Sequence, residues 1–268
     1  MKILPTTFNI NGKWSLDQVS YIGSYGVSSQ EGAPNGIWFN TDGTFMYVIG
    51  TTSKKIHKYV LSTPWMISSA VYSNSSYYVA AKEGWPRAVS FKPDGLSMYV
   101  IGAASDKAHQ YALATAWDIG APSYVGYFPV ATYDGAPRTV SFDITGYKMY
   151  VVGSGYFRVL QFDLSTAWLV DSASYSKILQ LPDRRTGLFF KPDGLTLFLT
   201  NEADSSNSRI YQLNLSTAWE IDTATQVNTY NLTSENTLAA SMFISPDGAH
   251  MFSVGREMGK IFQYKMGA

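Results

Sequence analysis

Along most of the chain, short runs place apolar side chains at every second position and are separated by Gly, Pro, Asp and Ser. That is the period-2 pattern of strands with one side on each face. The clearest instance runs from Arg87 to Phe128. Arg87-Ala-Val-Ser-Phe91 reads as a strand, Lys92-Pro-Asp-Gly95 as a turn, Met98-Tyr-Val-Ile101 as the next strand and Gly102 to Lys107 as a polar loop. Ala108 to Leu113 is a third strand, and Ser123 to Phe128, beyond a link containing Trp117, is a fourth. In the turn, the proline presets φ and the glycine takes positive φ without steric cost. After the fourth strand the pattern begins again.

It begins again often enough to define the fold. Phe39-Asn-Thr-Asp-Gly43, Phe91-Lys-Pro-Asp-Gly95, Phe142-Asp-Ile-Thr-Gly146, Phe190-Lys-Pro-Asp-Gly194 and Ile244-Ser-Pro-Asp-Gly248 mark five copies, spaced by 52, 51, 48 and 54 residues. A period of this size in a chain rich in aromatic and β-branched residues predicts one four-stranded sheet per repeat. The expected fold is all-β: a five-bladed β-propeller of four-stranded antiparallel blades, forming one domain over residues 1–268. The ends of the chain indicate how the ring closes. Ser20 to Tyr25 aligns with the fourth strand Ser123 to Phe128, whereas Gly259 to Met266 reads as a third strand with no fourth after it. Residues 18–26 are therefore expected to complete the fifth blade, hiding two sheet edges that would otherwise be open to other chains. Trp14, Trp65, Trp117, Trp168 and Trp219 supply one link tryptophan per blade, and their constant spacing predicts that they wedge between blades. Residues 7–10 form a spare copy of a third strand, and 1–10 are expected to be an extra strand or a partner-contacting arm.

Composition narrows the function classes. Twenty basic and 20 acidic residues give no net field toward nucleic acid or anionic membrane. The absence of cysteine excludes disulfides, thiolate metal sites and cysteine nucleophiles. No apolar signal segment and no membrane-length apolar stretch is seen. The three histidines lack metal-ligand spacing, and there is no nucleophile elbow, phosphate loop or dinucleotide motif. No cofactor and no metal are expected, and neither nucleic-acid binding nor membrane insertion is.

The copies F-K-P-D-G-x-x-M/L-Y/F-V-x-G, with a following Y-x-L-S-T-A-W, resemble a β-propeller repeat related to the WD and YVTN types. The resemblance covers residues 7–268. The L-S-T-A-W form is similar to repeats in tail and other virion proteins of bacteriophages and in bacterial surface proteins. Two copies depart from the pattern: the third has Ile144-Thr145 for P-D, and the fourth has Thr200 where the others end a strand on glycine. No catalytic residue carries over.

In the repeats this chain resembles, the strand before the P-D-G turn lies nearest the axis. That places inner strands at 35–40, 87–91, 138–142, 186–190 and 239–244. The links leading into them share a carboxylate, Glu31, Glu83, Asp134, Asp183 and Glu235, and so predict a ring of five acids at the channel mouth opposite the turns. Such a ring, with Asn35, Arg87, Arg138, Arg184 and Arg185 beside it, would hold a cation, an anionic sugar or a peptide carboxylate. Alternatively, each acid accepts backbone N–H bonds within its own loop. Trp85 and Tyr133 depart from the repeat on this face, as does the longer loop from Asn201 to Ser208, and an exposed aromatic there suits a sugar ring.

The leading expectation is a non-catalytic binding or structural module, part of a phage particle, that presents a propeller face to another virion protein or to a host surface receptor or glycan. The propeller would be a monomer carried in several copies on the larger assembly. A cell-surface or extracellular lectin is the alternative. A propeller glycosidase is the third reading; it would need two carboxylates in unlike environments, and these acids look alike in sequence.

Overall fold

The computed structural model describes residues 13–201, 208–232, 235, 236 and 238–267. Five four-stranded antiparallel sheets stand around an axis. Blade 1 is β2 (Pro34–Phe39), β3 (Phe45–Gly50), β4 (Lys55–Leu61) and β5 (Ala70–Tyr78). Blade 2 is β6 (Pro86–Phe91), β7 (Ser97–Gly102), β8 (Lys107–Ala112) and β9 (Ser123–Pro129). Blade 3 is β10 (Pro137–Phe142), β11 (Lys148–Gly153), β12 (Arg158–Leu164) and β13 (Ala173–Gln180). Blade 4 is β14 (Gly187–Phe190), β15 (Thr196–Asn201), β16 (Arg209–Leu215) and β17 (Ala224–Asn231). Blade 5 holds β18 (Ala239–Ile244), β19 (His250–Gly255) and β20 (Lys260–Met266), and its outer strand is β1 (Val19–Gly26). β1 pairs antiparallel with β20 from Val19 opposite Met266 to Gly26 opposite Lys260, so the ring closes as the repeat alignment predicts. Residues 7–10, the spare strand copy, lie outside the described residues.

The second strand of each blade is buried on both faces and reads as a near-continuous apolar run. The outer strands alternate, with one face against the neighbouring blade. The hydrophobic clusters accordingly span seams, one uniting Phe39, Val48 and Tyr59 of blade 1 with Phe243, Phe252 and Ile261 of blade 5.

Each seam carries the same fastening. The five link tryptophans have φ between 63 and 66°, a left-handed conformation rare for a bulky residue. That backbone lays each indole on the turn glycine of its own blade, so closely that a Cβ on Gly95 would come within 2.5 Å of Trp117, and one on Gly43 within 2.3 Å of Trp65. The glycine is required twice, for clearance and for its own φ of +71 to +78°. The indole also packs on the strand-end phenylalanine, as Trp117 does on Phe91 at 5.5 Å between centroids. The tryptophan carbonyl then accepts a hydroxyl from the preceding blade: Tyr47 to Trp117 at 2.7 Å, Tyr99 to Trp168 at 2.8 Å and Tyr150 to Trp219 at 2.7 Å.

A second stitch uses the third strands. Gln110 accepts from the Val170 N–H at 3.0 Å, Gln161 from Ile221 at 3.2 Å and Gln263 from Ile67 at 3.1 Å, each on the next blade. The closing seam repeats this chemistry, with Gln212 accepting from the Leu16 N–H at 3.4 Å and Trp14 seated on Gly248. One alignment reading needs correcting: in β15 the strand-ending glycine is replaced by Asn201, while Thr200 pairs with Gly187 one step earlier.

Gly95→Ala, combining a clash with left-handed strain, is expected to lower stability by about 3 kcal/mol. Gly23→Ala, where the added Cβ meets nothing within 4 Å, is the matched control. Thermal or denaturant unfolding of the two variants checks the difference.

Candidate functional site

The carboxylates predicted to ring one mouth of the channel are turned into their own loops. Glu31, Glu83 and Asp134 are completely buried. The link before each inner strand makes a tight turn, in which the N–H of Glu31, Glu83 and Asp134 bonds to the carbonyl of Val27, Val79 and Val130 at 2.8 to 2.9 Å. The side chain then reaches across to the loop between the second and third strands. Glu83 accepts from the N–H of Trp85 at 2.7 Å, of Ala104 at 3.1 Å and of Ser105 at 3.2 Å. Glu31 does the same with Ala33, Thr52 and Ser53, and Asp134 with Ala136, Gly155 and Tyr156. The adjacent strand must end on glycine, since a Cβ on Gly102 would meet the Glu83 carboxyl at 2.6 Å. These three acids serve as two-loop clamps, the alternative the repeat left open.

The other two predicted members do not take this place. In blade 5 the N–H that bonds to the Leu232 carbonyl at 2.8 Å belongs to Asn236, which is completely buried and donates to the Ser253 hydroxyl at 3.0 Å. Glu235 sits one residue earlier and is half-buried, so blade 5 puts an amide at the clamp position, and its oxygen has no hydrogen-bond partner among the described residues. In blade 4 the link is shorter: Leu181 to Gly187 takes six steps where Val27 to Gly36 takes nine, and the clamp is lost. Asp183 is exposed and pairs instead with Arg185, a buried guanidinium lying 3.3 Å over the Tyr211 ring.

The remaining residues of this predicted face take several places. Arg87 donates to Asn35 Oδ1 at 3.0 Å across the first seam, and Thr139 donates to the Thr186 carbonyl at 2.8 Å across the third. Arg138 donates from Nε to the Ser154 hydroxyl at 2.9 Å within its own blade, and Arg184 is half-buried. Tyr133 is stacked between Phe128 and Tyr175, at 6.2 and 5.3 Å, rather than presented at the face. Of the two aromatics predicted for this face, Trp85 stays open, at 55% exposure, with the Arg87 guanidinium 5.7 Å from its ring.

Behind two of the clamps lies a relay not foreseen in the sequence. Ser105 donates its hydroxyl to Glu83 at 2.5 Å and meets His109 Nε2 at 3.0 Å, while the Tyr124 hydroxyl lies 3.2 Å from His109 Nδ1. Ser53 and His57 repeat the serine–histidine pair on Glu31, the latter at 2.9 Å, with no counterpart of Tyr124 on His57 Nδ1 among the described residues. Burial pulls the His109 imidazole down to about 4, the nearby Glu83 charge only partly opposing it, and pulls His57 down likewise. A neutral ring with its proton on Nε2 fits both bonds. The serine proton is directed at the carboxylate and not at the imidazole, so the histidine does not activate it as a nucleophile.

The open feature of the axis is at the opposite end, roughly 15–20 Å away along the inner strands. A cavity of about 200 Å³ lies there among the turns, reaching Thr41, Pro93, Ile144, Pro192 and Pro246. Its origin is one column of the repeat. At the next-to-last position of the inner strand, blades 1, 4 and 5 carry Trp38, Phe189 and Phe243, and Phe243 packs on the other two at 5.2 and 5.1 Å between centroids. Blades 2 and 3 carry Ser90 and Ser141 in the same register, so the axis is filled on one side only. The walls are aromatic, with Phe91, Phe142, Trp117 and Trp168 among them. The polar turn residues are spent on their own backbones, Asn40 accepting from Phe45 N and Asp143 from Lys148 N, both at 2.8 Å. The column was readable in the aligned copies, where tryptophan, serine and phenylalanine alternate without a shared rule.

No protein-family profile matches the chain, and no curated protein matches it in sequence. Solved structures match in fold. The Cps50 (Swd1) β-propeller domain of Myceliophteria thermophila aligns over 93% of this chain and 100% of its own, with a TM-score of 0.55 and 10% identity. Candidate 6-phosphogluconolactonases of Bacteroides uniformis and Bacteroides fragilis align over 87% of this chain and 80% of theirs, with TM-scores of 0.54 and 0.55 at 14% and 13% identity. At such identities the likeness establishes the propeller architecture and nothing of activity.

Two predictions follow from the clamps and their relay. Glu83→Gln, which turns an amide N–H₂ toward backbone donors, should cost about 3 kcal/mol of stability by denaturant titration. Because the folded His109 stays neutral down to about 4 while an unfolded histidine protonates near 6.5, the unfolded state binds more protons in that window. Stability should therefore be full above about 6.5 and fall as pH drops toward 4, by up to about 3 kcal/mol from this residue. Calorimetry across that range should show a flatter profile for His57→Leu with His109→Leu, leucine being what blade 3 carries there as Leu160.

Proposed function

We propose that this propeller is a non-catalytic binding and structural module. In the reading its repeat sequences favour, it is a component of a bacteriophage virion that offers one face to a neighbouring virion protein or to a host surface receptor. The observation that carries the non-catalytic part is the fate of the acids. Glu31, Glu83 and Asp134 are completely buried and saturated by backbone and serine donors. Glycosidic acid–base chemistry needs two carboxyl groups facing one substrate, one of them protonated in a distinct environment. Carboxylates consumed as clamps offer neither the access nor the difference. The candidate lactonases among the similar folds share too little sequence with this chain to carry their activity over to it.

A second reading, a lectin, is favoured by one observation: Trp85 stands 55% exposed beside Arg87, a platform on which a sugar ring would stack.

Fractionation separates these readings. In the virion reading the chain co-purifies with assembled particles, and recovery of only free monomer from infected cells would overturn it. In the lectin reading a glycan array returns hits that weaken at least tenfold with Trp85→Ala, and an array without hits removes it.

A further inference from the structure

We infer that the cavity at the turn end of the axis is a socket for a single uncharged aromatic ring, supplied by a Phe, Tyr or Trp side chain of a partner polypeptide. The inference rests on the binding-module reading above and assigns that module its site. Size comes first. An apolar cavity of roughly 150 Å³ takes one benzene ring and stays dry without it. About 200 Å³ bounded by Trp38, Phe142, Trp168 and Phe243 therefore takes a phenol or an indole, but not two rings.

Charge comes second. No basic side chain lines the cavity, its one carboxylate, Asp143, is committed to the Lys148 N–H and the Thr145 turn, and the nearby turn lysines are internally paired, Lys92 with Asp94 and Lys191 with Asp193, both at 2.8 Å. The occupant is neutral. A polar tip on it has one partner in the serine column, Ser141, which lies in the wall. The Ser141 hydroxyl can accept from a phenol O–H or an indole N–H.

Third, the surroundings favour a polypeptide over a free small molecule. The turns around the socket expose Leu96, Ile144, Tyr147 and Leu195 at 43 to 60%. Such an apolar rim would stay wet around a small ligand buried in the socket, whereas a protein anchored by one aromatic residue would cover it.

The test uses the full chain with N-acetyl-tryptophanamide and N-acetyl-tyrosinamide as ring probes, and with N-acetyl-leucinamide and methyl β-glucoside as comparisons, read by amide chemical-shift perturbation. The ring probes should bind with dissociation constants on the order of 1 mM and shift resonances of residues 38, 141 and 243. Ser141→Phe places in blade 3 the side chain that blades 4 and 5 already hold at this register, and should weaken binding at least tenfold with the fold retained. Saturation by the glucoside alone, no shift by any probe, or ring binding indifferent to Ser141→Phe would each overturn the socket. A random-peptide display library panned on the chain and counter-selected on Ser141→Phe should enrich sequences with an aromatic anchor. Probe binding without such enrichment would reject the polypeptide occupant, and failure of particle co-purification with the socket intact would reject only the virion setting.

Discussion

Everything in this ring depends on a tryptophan held in a left-handed conformation over a glycine that can be nothing else. An isolated bulky residue at φ near +65° is unfavourable by about 1–2 kcal/mol, and five copies accept that cost. The return is geometric. The twist lets one indole touch the turn of its own blade and the aromatic wall of the preceding blade, while its carbonyl points back to receive a tyrosine hydroxyl. Two positions lack that hydroxyl, since Phe198 and Phe252 stand where the other blades have tyrosine. The seam between blades 5 and 1 compensates with Gln263, whose amide donates to the Trp65 carbonyl at 2.8 Å. The closing seam keeps the tryptophan-on-glycine and glutamine contacts without the tyrosine, and so a strand from one end of the chain can finish a blade from the other.

At the far end of the axis the organising element is a carboxylate rather than an indole. Three or four donors converge on each of Glu31, Glu83 and Asp134, so the buried oxygens are not left without partners. Behind Glu83, burial keeps His109 neutral against the opposing pull of the carboxylate, so no second charge is introduced. Blade 4 abandons the device, and with it the glycine the device demanded: Asn201 now occupies the strand end and accepts from the Arg209 N–H at 2.8 Å. Arg185 stacked on Tyr211 fills the space that a clamp and a histidine fill elsewhere. The two ends of the propeller are thus chemically unlike. One is built on buried carboxylate clamps; the other holds an aromatic-walled cavity.

The architecture was legible because its determinants are local and repeated. Phe91, Gly95 and Trp117 recur at fixed spacing for reasons of packing, and the unattached strand around Tyr21 matched the missing fourth strand after Tyr264. The candidate site was legible only in part. A carboxylate in each link could be seen, but not the direction of its side chain, because Glu83 facing a channel and Glu83 facing its own loop have the same sequence. Equal spacing also misled at Glu235, where the turn bonding selects Asn236 instead, and at Asp183, where a shortened link removes the clamp. The informative column was the one with Trp38, Ser90, Ser141, Phe189 and Phe243. Its disagreement among copies is visible in one dimension, while the gap it leaves exists only once five blades share an axis.

The central claim is that the repeated columns build the scaffold and that contact with other molecules falls on the turn end of the axis. Hydrogen-exchange mass spectrometry of the chain within assembled particles, compared with the free chain, tests this most directly. Slowed exchange confined to the turns at 91–96, 142–147 and 190–195 is the expected footprint. Slowed exchange at the opposite links, 82–87 and 133–138, with the turns unchanged, would contradict it.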